Sequence, residues 1–252
     1  MAQKIKVGAV SYLNTKPLIY GFEQGMMKDE IELIIDYPAN IAALLIQDKI
    51  DIGLVPVAIL PLLKEYHIVS DYGIACDGEV ASVCLFSDVP LQEIKTILMD
   101  YQSRTSVALL KILLKEHWKI EPALIPANAD YENEITGNTA GLVIGDRALL
   151  QRKKSKYIYD LGTAWKEMTS LPFVFAAWVS NKKLPKDFIV VFNAANTIGL
   201  KKLDEVISKN PYTDFDMKAY YTQNIKFNLE SAMFTAMDLF LSKLKRNIES
   251  IP

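Results

Sequence analysis

The feature that most limits how this chain can fold is the regular alternation of short β-branched runs with amphipathic segments of helical spacing. The run Ile5–Val10 is followed by a helical segment from about Lys16. The run Ile31–Asp36 is followed by a segment that Pro38 and Asn40 are predicted to cap as a helix. Such alternation is typical of a sheet that is built from strand–helix units and covered by helices. The pattern therefore predicts an α/β fold.

Further short apolar runs continue this alternation. They are interpreted as strands at residues 51–55, 80–87, 96–100, 123–125, 140–144, 157–159 and 173–180. Pro56 is predicted to open a helix, because a proline at the first helical position loses no hydrogen bond. A strongly amphipathic helix is predicted from Ser103 to about Glu116, and the chain after residue 180 is predicted to be almost wholly helical.

The order of these strands predicts two lobes joined by two hinge-crossing strands. The chain would leave an α/β lobe at strand 80–87 and re-enter it at strand 173–180. This order is that of type II periplasmic-binding-protein folds, whose ligands lie in the cleft between the lobes, near strand ends and helix N-termini. The predicted lobes are residues 1–86 with 178–252, and the inserted residues 87–177. A single Rossmann-like domain is the competing interpretation.

Charge and composition narrow the classes of function. A net charge of −2 leaves no basic footprint of the kind that nucleic-acid binding needs. No run approaches the roughly 18 apolar residues of a membrane helix, and the first apolar stretch is shorter than the roughly 7–15 residues of a signal-peptide core. We therefore expect a cytoplasmic protein without membrane insertion. Cys76 and Cys84 lack CxxC spacing, and no His/Cys/Asp cluster has metal-ligand spacing, so no metal is expected.

Two candidate ligand-binding segments lie in the part of the chain assigned to the first lobe. In the block SYLNTKP after the first strand, Ser11, Tyr12 and Asn14 are candidate contacts, and a simple helix N-cap is the alternative. Ser82 is a hydroxyl residue in an otherwise apolar predicted strand. On a hinge strand its side chain would point into the cleft, whereas a satisfied core hydroxyl is the alternative.

A third candidate segment opens the predicted amphipathic helix. It contains Ser103, Arg104, Thr105 and Ser106. Free backbone N–H groups, the helix dipole and hydroxyl donors together favour the binding of a carboxylate at such a place. The alternative is a capping cluster in which Arg104 is solvated.

The fourth candidate segment is Gly145, Asp146 and Arg147, again after a predicted strand. The glycine lets a ligand approach the backbone and the arginine supplies positive charge. Alternatively, Asp146 only caps a helix and Arg147 only pairs with it. No GxSxG block, Ser/His/Asp set or phosphate loop occurs in the sequence.

The wording of these blocks resembles that of the chorismate dehydratases, which act in the futalosine route to menaquinone. The stretch VGAVSYLNTKPLIYG is similar to the N-terminal signature of that family. The similarity continues through DIGLVPVAIL, the strand at Ser82, DYQSRTSVALLKILL, GDRALL, LPFVFAAWV and YYTQNIKFNLE, almost the whole chain. The dihydroxynaphthoate synthases of the same route share the fold but not this N-terminal wording.

The resemblance implies a type II binding-protein fold and a lyase that needs no cofactor. Its substrate would be the dianion chorismate, which would lose water to give 3-[(1-carboxyvinyl)oxy]benzoate. Asn14 and Ser82 match positions associated with substrate handling in the family, and are therefore the candidate catalytic residues; Ser11 is the alternative contact. Because neither histidine lies in a candidate segment, the enolpyruvyl carboxylate of the substrate is the candidate base, with Asp146 as the alternative.

Three other functions compete with this one. They are a dihydroxynaphthoate synthase-like enzyme, a protein that only binds a small anion, and a ligand-sensing domain of a transcription regulator. Anion-binding receptors are normally exported, so a missing signal peptide argues against the second. The first strand begins without a preceding helix-turn-helix module, which argues against the third. The sequence does not indicate an oligomeric state.

Overall fold

The computed structural model describes residues 4–249 and divides the chain into two compact units. The first unit runs as far as Ala75 and resumes from Val174 to Glu230. The second unit comprises Cys76–Phe173 and the chain from Ser231 onward. Each unit is therefore built from two separate stretches of sequence, and each holds its own sheet.

Strands alternate with helices as far as residue 180, and helices dominate after it. The strands are β1 (Ile5–Val10), β2 (Ile31–Asp36), β3 (Ile52–Pro56), β4 (His67–Cys76), β5 (Val83–Ser87), β6 (Thr96–Met99), β7 (Ala123–Pro126), β8 (Thr139–Ile144), β9 (Tyr157–Asp160), β10 (Phe173–Ser180) and β11 (Lys226–Asn228). The α-helices are α1 (Lys16–Glu23), α2 (Pro38–Ile46), α3 (Arg104–Leu113), α4 (Gly145–Gln151), α5 (Leu161–Thr169), α6 (Lys186–Lys201), α7 (Leu203–Lys209), α8 (Met217–Ala219) and α9 (Ser231–Glu249).

The sheet of the first unit has the strand order β11-β4-β10-β3-β1-β2. Strand β1 is parallel to β2 and β3, whereas β10 is antiparallel to β3. Strand β3 is buried along its whole length, as expected for a strand covered on both faces. Because β1 and β2 are parallel, their carboxyl ends meet at one edge, where the N–H of Ser11 donates to the carbonyl of Asp36 at 3.1 Å.

The sheet of the second unit has the order β7-β6-β8-β5-β9. Strand β6 is parallel to β7 and β8, whereas β5 is antiparallel to β8 and β9. The pairs Val83–Ile144 and Cys84–Asp160 align the start of β5 with the ends of β8 and β9. Consequently the segments that follow β6, β8 and β9 meet the segment that precedes β5 at one edge of this sheet.

The predicted strands agree closely with the observed ones, apart from the first crossing. The first of the two stretches that form the first unit ends at β4, a strand that the sequence pattern missed. The predicted strand 80–87 begins only at Val83 and belongs to the second sheet. Strand β4 is hard to recognise because Ser70 and Asp71 interrupt its apolar residues. Both are matched by Asn193 of α6, which accepts from the Ser70 hydroxyl at 2.6 Å and donates to the Asp71 carboxylate at 3.0 Å.

The predicted lobes, 1–86 with 178–252 and 87–177, also differ from the two units in the C-terminal helix. Helix α9 packs within the second unit, where the ring of Phe240 lies 5.1 Å from that of Phe173 and 6.3 Å from that of Trp165. A helical segment at the end of a chain carries no strand order that would assign it to a sheet. The prediction that Pro56 is the first residue of a helix is also corrected. Pro56 is the last residue of β3, and a short 3₁₀ helix follows it.

Candidate functional site

Ser82 lies in a buried loop at the edge of the second sheet, one residue before β5. The prediction that it lies on the strand is therefore wrong. Its carbonyl accepts the N–H of Gly145 at 2.8 Å, and its own N–H donates to the carbonyl of Val80 at 2.8 Å. The preceding residue, Ala81, has a φ of 63°. That left-handed conformation costs a residue with a Cβ atom about 1–2 kcal/mol, so neighbouring groups must hold the loop in place.

Asp160, the last residue of β9, is one of the groups that hold this loop. Its Oδ2 accepts the N–H of Ala81 at 2.8 Å and its Oδ1 accepts that of Val80 at 3.1 Å. Oδ1 also accepts the N–H groups of Gly162 and Thr163 at 2.9 and 3.1 Å, as an N-cap of α5. Burial raises the pKa of the Asp160 carboxyl, and the hydrogen bonds from the Thr163, Val80 and Ala81 amides oppose that rise.

Sequence reasoning missed Asp160, although a signal for it exists. An aspartate directly after a strand and directly before the helical segment LGTAW is a typical N-cap. That signal predicts the contact with α5 only. The contacts with Val80 and Ala81 join residues that are about eighty positions apart, and only the pairing of β5 with β9 brings them together.

The segment that opens α3 contains a compact set of hydroxyl groups. Ser103 is the N-cap, and its Oγ accepts the N–H of Ser106 at 3.0 Å and donates to the Ser106 Oγ at 2.9 Å. Thr105 is also buried, whereas Arg104 is exposed. This geometry fits the alternative of a capping cluster with a solvated arginine, and the proposed role in carboxylate binding stays a prediction.

Arg147, in the first turn of α4, forms ion pairs with two carboxylates. Its Nη2 lies 2.5 Å from Asp100 Oδ2 and its Nη1 lies 2.6 Å from Glu132 Oε1. These partners differ from Asp146, the neighbour that the sequence offered as its alternative partner. Gly145, which precedes it, has a φ of 63°, a conformation that glycine adopts without steric cost. Two carboxylates thus balance the positive charge that the sequence assigned to ligand binding.

Asp100 is the most deeply buried member of this ion-pair cluster, with a side chain that is 0% exposed. Its Oδ1 accepts the N–H of Gln102 at 2.7 Å, and its Oδ2 accepts the hydroxyl of Tyr131 at 2.9 Å. Burial raises the pKa of Asp100, and the Arg147 guanidinium opposes that rise. Burial and the negative charge of Asp100 both raise the pKa of Tyr131, which keeps this phenol neutral.

The candidate residues of the first unit lie at the carboxyl end of β1. Tyr12 is buried, and Ser11 and Asn14 are partly exposed. Residues Leu13–Thr15 form a 3₁₀ turn that leads into α1, and the hydroxyl of Tyr221 donates to the carbonyl of Leu13 at 2.8 Å. This hydrogen bond anchors the turn that carries Asn14 to the C-terminal part of the first unit.

The structure therefore brings the candidates together in two groups. Ser82, the segment 103–106 and the segment 145–147 share one edge of the second sheet, joined by the contact of Ser82 with Gly145. Ser11, Tyr12 and Asn14 share an edge of the first sheet. Within residues 4–249, no three His, Cys, Asp or Glu side chains are placed to hold a metal ion. No helix in the same residues is long and apolar enough to cross a membrane.

Solved structures with similar folds are periplasmic-binding-protein-like. A protein from Archaeoglobus fulgidus has a TM-score of 0.77 at 16% identity, covering 98% of each chain. A Candida albicans protein, described as having the generic periplasmic binding protein fold, has a TM-score of 0.64 at 13% identity, covering 100% of this chain and 92% of that one. The aliphatic sulphonate binding protein SsuA from Escherichia coli has a TM-score of 0.65 at 13% identity, covering 99% and 88%. These similarities confirm the predicted fold class.

Sequence comparison identifies the family. A chorismate dehydratase from Thermus thermophilus is 28% identical to this chain, with 79% of each protein covered. The sequence profile of a family described as menaquinone biosynthesis matches residues 5–246, nearly the whole chain. The predicted relationship is thereby confirmed, and this chain belongs to the menaquinone biosynthesis family.

Proposed function

We propose that this protein is a chorismate dehydratase, which converts chorismate into 3-[(1-carboxyvinyl)oxy]benzoate and water. The observation that carries this proposal is membership of the menaquinone biosynthesis family together with a relative named for that activity. The hydroxyl-rich edge of the second sheet supports it, because a dehydration of this kind needs hydrogen-bond donors at fixed positions.

The chemistry proceeds by loss of the C3 proton and the C4 hydroxyl of chorismate. The C3 proton is vinylogous to the ring carboxylate, so its removal gives a dienolate. The electron pair then re-forms the ring double bond as the C4 hydroxyl leaves, and the proton and the hydroxide together make up the lost water. Aromatisation of the ring drives the step. The protein has to fix both carboxylates, stabilise the developing charge and exclude bulk water.

We assign the conformation of the substrate and the departure of the hydroxyl to Asn14 and Ser82. The enolpyruvyl carboxylate of the substrate is the proposed base for the C3 proton. Asp146 lies in the first turn of α4 and is the alternative base. The start of α3 supports carboxylate binding by residues 103–106, since a helix N-terminus attracts negative charge. The location of the substrate between two lobes stays a prediction.

Incubation of the purified protein with chorismate tests the proposal, with products followed by mass spectrometry and ultraviolet absorbance. We expect a product lighter by one water and a growing benzoate absorbance. Unchanged chorismate in the presence of folded protein would contradict the proposal. Turnover of a cyclic futalosine derivative would then indicate the dihydroxynaphthoate synthase, and binding of dianions without turnover would indicate a pure binding role.

Substitution of the candidate catalytic residues tests their roles. We expect Ser82→Ala and Asn14→Ala each to lower kcat about 100-fold or more, in the range typical for groups that act in the transition state. Ser208→Ala, on the exposed surface of α7, is the matched control and should leave kcat unchanged. Wild-type kcat in Ser82→Ala would remove this serine from the mechanism.

Asp146→Asn separates the two candidate bases. If the substrate carboxylate takes the proton, the variant should retain kcat within roughly tenfold of wild type, because only a polar contact changes. Loss of turnover with unchanged substrate affinity would assign the base to Asp146 instead. Substrate affinity is measured by calorimetry on each variant.

A further inference from the structure

We infer that Asp160 is a positioning residue for the proposed dehydration, because its carboxylate fixes the backbone of Val80 and Ala81 and thereby sets the position of Ser82. This inference rests on the proposed function for the role of Ser82. The contacts of Asp160 themselves do not depend on the substrate.

The loop that carries Ser82 needs to be held by other groups. Ala81 adopts a left-handed conformation with a φ of 63°, which residues other than glycine adopt reluctantly. The N–H of Ser82 donates to the carbonyl of Val80 only two residues earlier, in a tight three-residue turn. Val80, Ala81 and Ser82 are all at most 1% exposed, so water does not satisfy their backbone groups.

The two carboxylate oxygens of Asp160 together bind the start of α5 and this loop. Oδ1 serves Gly162 and Thr163 at the start of α5 and also reaches the N–H of Val80. Oδ2 accepts the N–H of Ala81 at 2.8 Å, the shortest of these four contacts. An ionised carboxylate accepts at both oxygens and donates at neither, so it can serve both groups at once. These hydrogen bonds account for the buried carboxylate of Asp160 without a direct role in the reaction.

Asp160 and the amides that it binds form a clamp on the loop, and two further contacts make this clamp rigid. A Cβ atom at Gly162 would lie 2.4 Å from the carbonyl oxygen of Gly78, so α5 begins in direct contact with the segment that leads into the loop. On the opposite side, the carbonyl of Ser82 accepts the N–H of Gly145 at 2.8 Å. Ser82 is thus fixed between the start of α5 and the start of α4, and a small movement of the clamp would displace its hydroxyl.

The substitution Asp160→Asn isolates the loop contact from the helix cap. The amide oxygen of asparagine can replace Oδ1 and keep α5 capped, since asparagine is as good an N-cap as aspartate. The amide NH₂ then faces the N–H of Ala81, and two donors oppose each other. We expect kcat for chorismate to fall about 10- to 100-fold, as for a misplaced catalytic group, while KM changes less than about threefold.

A second substitution tests whether Asp160 acts through the backbone. Ala81→Gly removes the cost of the left-handed conformation, because glycine adopts positive φ freely. By itself it should leave kcat close to wild type, and in the Asp160→Asn background it should restore several-fold of the lost kcat. A residue that merely stabilised the fold, or that reacted with substrate directly, would not be rescued in this way.

Amide hydrogen exchange gives a measurement that needs no substrate. In Asp160→Asn, the Ala81 amide loses its acceptor Oδ2 and should exchange about 10- to 100-fold faster than in wild type. The amides of Val80, Gly162 and Thr163, which donate to Oδ1, should keep their protection. Asp160→Ser, which caps a helix but lacks the second oxygen, should give the same pattern and serves if the asparagine variant does not fold.

Unchanged exchange at Ala81, or a wild-type kcat in Asp160→Asn, would overturn the inference. A wild-type protein that leaves chorismate unchanged would overturn the proposed function alone. The exchange measurement would then still decide whether Asp160 holds the loop.

Discussion

At the scale of single residues, the buried ion pairs of the second unit decide how its polar edge is organised. Arg147 faces Asp100, whose side chain is 0% exposed, and also Glu132, which is 15% exposed. A charge so deeply buried is tolerated only with a partner and with hydrogen bonds, here from Gln102 and Tyr131. Arg147 therefore has a structural role, the neutralisation of buried carboxylates, that its position in the sequence did not reveal.

Removing the Arg147 charge tests that structural role. Arg147→Gln should lower the free energy of unfolding by about 3 kcal/mol, because it leaves the Asp100 carboxylate buried without its cationic partner. Urea denaturation measures this value. Lys166→Gln is the matched control, since the pair of Lys166 with Asp77 is exposed and worth about 0–1 kcal/mol. Equal effects of the two substitutions would contradict the assignment.

Tyr131 gives a prediction for alkaline pH. Its hydroxyl lies within hydrogen-bond distance of Asp100 Oδ2 and of the Leu142 carbonyl, so Tyr131→Phe should cost about 1–3 kcal/mol at neutral pH. The pKa of Tyr131 is raised in the folded protein, so its contribution to stability is fully present below the unfolded value of about 10. That contribution is lost as the pH rises further. Urea denaturation between neutral and alkaline pH should show the difference between wild type and variant shrinking above about pH 10; a growing difference would contradict it.

At the scale of secondary-structure elements, close helix packing depends on two glycines. Helices α1 and α6 meet where a Cβ atom at Gly21 would lie 2.2 Å from the Ala195 carbonyl oxygen, and one at Gly199 2.0 Å from that of Pro17. Both obstacles are backbone atoms, which cannot move aside as a flexible side chain can. A glycine within a helical pattern is thus explained by the neighbouring helix.

The substitution Gly199→Ala measures this packing. Alanine favours a helix by about 1 kcal/mol over glycine, but the forced separation of α1 and α6 should outweigh this gain and destabilise the protein by about 1–3 kcal/mol. Val190→Ala, on the exposed face of the same helix, is the control and should change stability little. A more stable Gly199→Ala protein in thermal unfolding would contradict the close contact.

At the scale of the whole molecule, the chain passes between two units and returns to the second one with α9. The ring of Phe240 packs edge-on against those of Trp165 and Phe173, and Lys243 forms an ion pair with Glu116. The last helix is therefore a component of the core of the second unit, although its residues follow those of the first unit in sequence.

Truncation of Phe240 tests the place of α9. Phe240→Ala should lower the free energy of unfolding by about 3–5 kcal/mol, since the side chain is 0% exposed and leaves a cavity. The change should be visible in the fluorescence of Trp165, which the ring contacts. Leu150→Ala, at a half-exposed position of the same unit, is the control. Control-like stability and an unchanged Trp165 signal would place α9 outside this core.

The sequence by itself determined the fold class, most strand positions and the family. The physical reason is that β-branched runs, helical spacing and local caps are short-range properties, so a strand such as β10 can be read from its own residues. The blocks around Asn14 and Ser82 carry the family resemblance in the same local way. Strand β4 was not predicted from the sequence, because the polar residues that interrupt it are hydrogen-bonded by Asn193, more than a hundred residues later.

Only the tertiary structure decided three features: the ion-pair partners of Arg147, the place of α9 in the second unit, and the hold of Asp160 on the loop that carries Ser82. Each of these depends on contacts between residues that are distant in sequence, which strand pairing brings together for Arg147 and Asp160 and aromatic packing for α9. Asp160 shows the division most clearly. Its N-cap contact with α5 follows from the residues next to it, whereas its hold on Val80 and Ala81 exists only because β9 pairs with β5.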